Sequence, residues 1–188
     1  MNRIKHILVA LVAVLSIAAS AAMAAPVNKN ETALSHEQVV KKVRKELVTL
    51  PWYGVFDNLA YKVEGDTVTL YGQVVRPSTR SDAENRVARI PGIERVVNRI
   101  EVLPLSSFDD DIRVRTYRSV FGAGSLYRYA MGANPSIHII VRNGHVTLEG
   151  VVANKMDKQL AYMAARNVAG SFTVTNNLRA ERGESELY

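Results

Sequence analysis

The sequence has 188 residues and no cysteine. That excludes disulfides, thiolate metal sites and a lipid anchor carried on a cysteine. Histidine is scarce: beyond His6 there are only His36, His138 and His145. A hydrolase or transferase needs a convergent set of reactive side chains, and no nucleophile elbow is present. No glycine loop opens a helix to cradle phosphate, since Gly122-Ala123-Gly124-Ser125 follows a helix instead. Long apolar runs are also lacking, with one exception. Ile7 to Ala19 is broken only by Ser16, and it is shorter than the ~20 residues a spanning helix requires.

That run reads as an export signal. Arg3 and Lys5 precede it, and Ala22-Met23-Ala24 follows as a small-x-small cleavage pattern. Cleavage is predicted after Ala24, delivering a soluble protein to the periplasm. Without Arg3 and Lys5 the chain keeps 22 basic and 18 acidic residues, a net charge of +4. This mild excess permits contact with an anionic membrane surface without demanding it. The compartment argues against nucleic acid as a partner. A chain exported without disulfides must rely on its cores.

An internal repeat organises the rest. Val68-Thr69-Leu70-Tyr71-Gly72 returns as Val146-Thr147-Leu148-Glu149-Gly150, an offset of 78 residues. At that offset Val74 matches Val152, Ala83 matches Ala161, Gly92 matches Gly170, Val96 matches Val174, and Asn98 matches Asn176. The reading is a signal peptide over 1–24, an N-terminal tail over 25–34, and unit 1 over 35–103. A linker over 104–107, unit 2 over 108–180 and a C-terminal tail over 181–188 complete it.

Each unit reads as helix, strand, strand, helix, strand. The predicted fold class is α+β, with two tandem α-β-β-α-β units, each a small three-stranded mixed sheet packed on two helices. In unit 1, Ser35 and Gln38 form a capping box ahead of Val39, Val43, Leu47 and Leu50 at helical spacing. Leu59, Tyr61 and Val63 alternate on one strand, and Val68 and Leu70 on the next. Gly65-Asp66 between them is a type II′ hairpin signal. Pro77 opens a second helix bearing Ala83, Val87 and Ile90, and Gly92 ends it. In unit 2, Ser107 is expected to cap a helix running through Tyr117 and Phe121, and a loop follows from Gly122 to Pro135. Ile137, Ile139 and Val141 alternate, Asn143-Gly144 turns the chain, and Asn154 caps the last helix, which carries Leu160, Ala161, Ala164 and Val168. A unit of about 70 residues buries only about 60% of its unfolded surface, so the pair is expected to dock.

The succession Gly-x-Val-Thr-Leu-x-Gly-x-Val, an alanine-bearing helix, and Gly-x-x-x-Val-x-Asn resembles the BON domain. Its parts are Asp66 to Val74 and Gly144 to Val152, with Gly92 to Asn98 and Gly170 to Asn176. The sequence departs from the pattern at Gly65, one position early, and at Ser171, where valine is usual. Two copies behind an export signal are similar to the family's osmotically inducible periplasmic members. They differ from its dual-domain lipoproteins in having no cysteine. The resemblance implies a role in envelope maintenance and osmotic stress, with phospholipid binding, and without enzymatic activity or a cofactor. The alternative is a periplasmic chaperone or protein-interaction module. Gly72, Gly92, Asn98, Gly150, Gly170 and Asn176 are expected to serve the fold.

The surface that best suits an anionic membrane lies in unit 2. Arg113, Arg115 and Arg118 sit on its first helix, and Tyr127, Arg128, Tyr129 and Met131 in the following loop. The competing reading packs these tyrosines between the units and leaves the arginines solvated. Four arginines at about 1 kcal/mol each would give only a ~1 mM dissociation constant. Lys41, Lys42, Arg44 and Lys45, mixed with Glu37 and Glu46, read as a solvated helix face. His138 opposite Glu149 and Arg142 opposite His145 read as cross-strand polar pairs rather than metal ligands. Trp52 to Phe56 is expected to form the seam between the units.

Overall fold

The computed structural model describes residues 34–132 and 134–182. The expected signal peptide, the tail up to residue 33 and residues 183–188 lie outside the described residues. Unit 1 begins with α1 (His36–Val48). Its capping box is closed in both directions: the Gln38 amide donates to Ser35 Oγ at 3.3 Å, and the Ser35 amide donates to Gln38 Oε1 at 2.9 Å. Strands β1 (Asn58–Glu64) and β2 (Thr67–Val74) form an antiparallel hairpin. Gly65 has φ +61° and Asp66 does not enter the positive region, as a type II′ turn requires. Helix α2 (Pro77–Val87) crosses back. Strands β3 (Arg95–Asn98) and β4 (Glu101–Val102) then both run parallel to β2.

Unit 2 repeats this topology with α3 (Ser107–Gly122), β5 (Ile137–Arg142), β6 (His145–Asn154), α4 (Lys155–Arg166), β7 (Thr173–Asn176) and β8 (Arg179–Arg182). The sequence offset is also a structural register. Leu70 faces Asn98 and Leu148 faces Asn176, while Leu59 faces Gly72 and Ile137 faces Gly150. Four expectations shift. Ser106, not Ser107, caps α3, its Oγ accepting from the Asp109 amide at 3.1 Å. Val168 lies beyond the end of α4, and Ile90 beyond that of α2, though both are buried. The Gly122–Pro135 segment carries a 3₁₀ turn at Leu126–Ala130.

The matched asparagines explain the split last strand. Asn98 Nδ2 donates to the Arg80 carbonyl at 3.1 Å, and its Oδ1 accepts from the Ile100 amide at 3.1 Å. Asn176 does the same with Lys158 (3.0 Å) and Leu178 (3.2 Å). In each unit one side chain pins the second helix and satisfies a strand amide where the ladder pauses. At the same break Arg99 and Asn177 donate their amides to Leu70 and Leu148, both at 2.9 Å.

Each unit has its own core. Val43, Val68, Leu70, Val74, Ala83 and Val87 centre the first, and Ile112, Leu126, Ile137, Ile139, Leu148 and Leu178 the second. The units pack into one compact body, and the expected seam forms from Tyr53 to Phe56. The Ile139 amide donates to the Val55 carbonyl at 2.7 Å, which occupies the free edge of β5. Phe56 meets Tyr117 edge-on at 6.3 Å between centroids. Arg142 pairs with Glu101 at 2.8 Å. Trp52 departs from the seam: it is 70% exposed, with the Arg76 guanidinium 4.7 Å over its ring.

Candidate functional site

Helix α3 turns Asp109, Ile112, Arg113, Thr116 and Val120 inward. Asp109 is fully buried near the helix start. Its two carboxylate oxygens accept from the amides of Asn143 and Gly144, each at 2.8 Å. The second turn carries both positive-φ residues, Asn143 at +51° and Gly144 at +78°, as in a type I′ hairpin. The acid at the helix start therefore clips the tip of the β5–β6 hairpin.

Arg113 does not join the predicted basic surface. It is 3% exposed, ion-paired with Asp110, and donates to the Val141 carbonyl at 2.8 Å. Its position is one residue from Ile112 and three from Thr116, on the helix's inward stripe, so its charge serves the β5 edge. Arg115 is half exposed, paired with Asp111 at 3.1 Å, and donates to the Ala169 carbonyl. Arg118 is exposed and in no ion pair among the described residues.

Tyr129 also leaves the predicted surface. It is buried, its hydroxyl donates to Asp157 Oδ2 at 2.6 Å, and it accepts from the Ala153 amide at 2.9 Å. Arg128 closes the same network by pairing with Asp157 and donating to the Tyr129 hydroxyl. Asp157 in turn receives Asn154, the cap of α4. The 3₁₀ turn is thus locked onto the α4 start. What it presents outward is Tyr127, 59% exposed, and Met131, 67% exposed. With Tyr117, Phe121, Ala130 and Arg118 they surround an open, largely apolar depression of about 610 Å³.

An exposed aromatic pair lies outside the predicted surface. Phe108 and Phe172 stand 6.0 Å apart beside Gly144, near the start of α3. Phe172 takes the place that Glu94 holds in unit 1 at the common offset, and that exchange of charge for a ring is the signal that would have found it.

The polar pairs of β5 and β6 form as expected: His138 faces Glu149 and Arg142 faces His145. The outer face of β5 is nonetheless covered by unit 1. His138 is buried, its Nδ1 donates to the Gly54 carbonyl at 3.2 Å, and its ring lies 5.6 Å from that of Tyr53. Burial pushes its pKa down, although Asp57 and Glu149 favour the proton. Asp57, also buried, accepts from the amides of Val75 (2.8 Å) and Gly54 (3.1 Å). Burial raises its pKa against those bonds. Burial likewise pushes the Tyr53 hydroxyl up to about 12. These groups hold the seam, and among the described residues no group of three or more histidines and acids is placed to hold a metal ion. Nor is any described helix long and apolar enough to cross a membrane.

A family model described as BON domain matches residues 35–104 and 128–182. The second match begins in the 3₁₀ turn and leaves α3 outside it. A search of curated proteins finds no match. Among solved structures the chain is similar to CdsD, a structural protein of the type III secretion system of Chlamydia trachomatis. Identity is 9% and the TM-score 0.30, over 77% of this chain and 93% of that one. The C-terminal domain of CdsD gives 10% identity and a TM-score of 0.29, over 78% and 99%. Likeness this distant carries neither fold nor function to this chain.

Proposed function

This chain belongs to the BON domain family, and on that premise we propose that it is a non-enzymatic periplasmic protein of envelope maintenance and osmotic stress that binds anionic phospholipid membranes through its second unit. The family is associated with phospholipid binding and with envelope and osmotic stress, and it is generally non-enzymatic. The observation that carries the reading is the exposed Tyr127 and Met131 beside Arg118, which is in no ion pair among the described residues, around an open apolar depression.

The burial of Arg113 and the pairing of Arg115 and Arg128 change the energetics. One unpaired arginine near an anionic surface contributes about 1 kcal/mol. Charge alone therefore leaves binding weaker than millimolar. Insertion of the Tyr127 ring and Met131 thioether adds about 1.5–3 kcal/mol for each side chain that is fully buried. The apolar contribution then exceeds the electrostatic one, and several molecules on one vesicle strengthen attachment.

Co-sedimentation with phosphatidylglycerol–phosphatidylethanolamine vesicles tests this. The wild-type chain is expected to sediment with them and to lose only part of its binding in 0.15 M salt. Replacing Tyr127 and Met131 together by serine is expected to weaken binding about a hundredfold or more. Arg118→Gln weakens it about fivefold. Equal sedimentation of all three proteins, or none of the wild type, would overturn the assignment.

A further inference from the structure

A second surface, away from the residues just described, lies where the units meet. Two adjoining depressions of about 680 and 410 Å³ share Arg44, Val48, Tyr53, Leu59 and Arg179 and so form one groove. Helix α1 and strand β1 make one wall. The start of β5 and part of β8 make the other.

Strand β1 lies at the edge of its sheet, in the order β1-β2-β3. Among the described residues its backbone pairs with no strand but β2. Alternate residues of an edge strand direct their N–H and C=O groups away from the sheet, which makes it a template for another strand. Of these groups the Leu59 amide already meets the Tyr53 hydroxyl. The far end of β1 is blunted by the exposed Lys62–Glu64 ion pair, 2.7 Å. Asn58 to Tyr61 border the groove, and by this alternation the Leu59 carbonyl and the N–H and C=O of Tyr61 are the groups that face away from β2 there.

Charge gives the groove a direction. Arg44 and Arg179, from different units, are exposed where the two depressions join and take part in no ion pair among the described residues. Arg44 stands one turn beyond Val40, whose carbonyl accepts from the Tyr61 hydroxyl at 3.1 Å, so α1 holds this arginine over β1. Glu149 and Glu181 line the wider part. Leu59, Val48 and Tyr53 supply apolar surface common to both.

We propose that this groove docks an extended polypeptide segment as an added strand on β1, with a carboxylate of that segment held between Arg44 and Arg179. The free edge supplies main-chain hydrogen bonds, the apolar floor receives alternate side chains, and the two arginines select an acidic end. The glutamates disfavour a second acidic group at the other end. None of Arg118, Tyr127 and Met131 borders the groove, so this site stands or falls apart from the membrane surface.

The test is fluorescence anisotropy on the full chain with a labelled peptide of alternating valine and threonine ending in two aspartates. Binding is expected, with Arg44→Gln and Arg179→Gln each weakening it about fivefold. Methylating alternate backbone amides of the peptide should abolish it. A version ending in amidated lysines should not bind. Both arginines are exposed, and circular dichroism checks that the variants remain folded. Vesicle sedimentation should be unchanged in both. No binding by the wild type, equal binding by the double variant, or equal binding of the methylated peptide would each overturn the proposal. Displacement by inorganic phosphate together with indifference to methylation would show a simple anion site and would also overturn it.

Discussion

A Cβ at Gly150 would lie 2.1 Å from the Ser136 carbonyl oxygen, and at Gly72 1.9 Å from that of Asn58. Both glycines also have φ near +115°, where other residues are strained. Backbone cannot yield as a flexible side chain can. Gly150→Ala is therefore expected to cost about 3 kcal/mol or more and to lower the thermal midpoint by roughly 10 °C or more, read by differential scanning calorimetry. The buried His138 gives a pH dependence. Its folded pKa lies below the ordinary value of about 6.5, so the unfolded chain binds more protons there. Stability from the neutral ring is complete above about 6.5 and is lost as pH falls toward the lowered value. Asp57, with a raised pKa, acts oppositely: its contribution is favourable at low pH and is lost as pH rises through that value. Urea unfolding at pH 7.5, 6.5 and 5.5 should show the wild type losing stability relative to His138→Gln on acidification. A constant difference between the two would refute this account.

At the scale of elements, α3 is joined to the β5–β6 hairpin by one carboxylate. Asp109 satisfies two amides at a turn whose positive φ values need fixing. Asp109→Ala leaves both without that partner. The expected loss is about 3 kcal/mol, from two charge-assisted hydrogen bonds, measured by chemical denaturation. Faster hydrogen exchange at Asn143 and Gly144 should accompany it. Two helix starts and both hairpin turns were legible because caps and turn glycines act locally: Ser35 with Gln38, Gly65-Asp66, Asn143-Gly144 and Asn154 all serve as their chemistry requires. Ser106 was missed by one position because two adjacent serines offer the same cap. Arg113 is charged, yet its place beside Ile112 and before Thr116 puts it on the inward stripe of the helix.

At the scale of the molecule, the seam makes the second core depend on the first unit. Phe56 belongs to unit 1 by sequence yet packs against Tyr117 and the core of unit 2. Phe56→Ala is expected to destabilise unit 2 by about 1–3 kcal/mol, since the ring is only partly buried. Native-state hydrogen exchange should then speed up at core amides of β5 and α3. Unchanged exchange there would mean that the units are energetically independent. The same seam creates the groove beside β1, because two small units meeting over a short contact leave open space at its margin.

The repeat, the α+β class, the order of elements and most turns were determined by the sequence alone. They arise from hydrophobic period, caps and backbone preferences, each acting within a few residues. The burial of Arg113, Tyr129 and His138, and the exposure left to Tyr127, Met131 and Arg118, were decided by tertiary structure. Exposure depends on what packs against a residue. For His138 the covering group is Gly54, 84 positions away in the chain, and for Tyr129 it is Asp157, 28 positions away. Local pattern carries no information about such partners, so the core was legible and the surface was not.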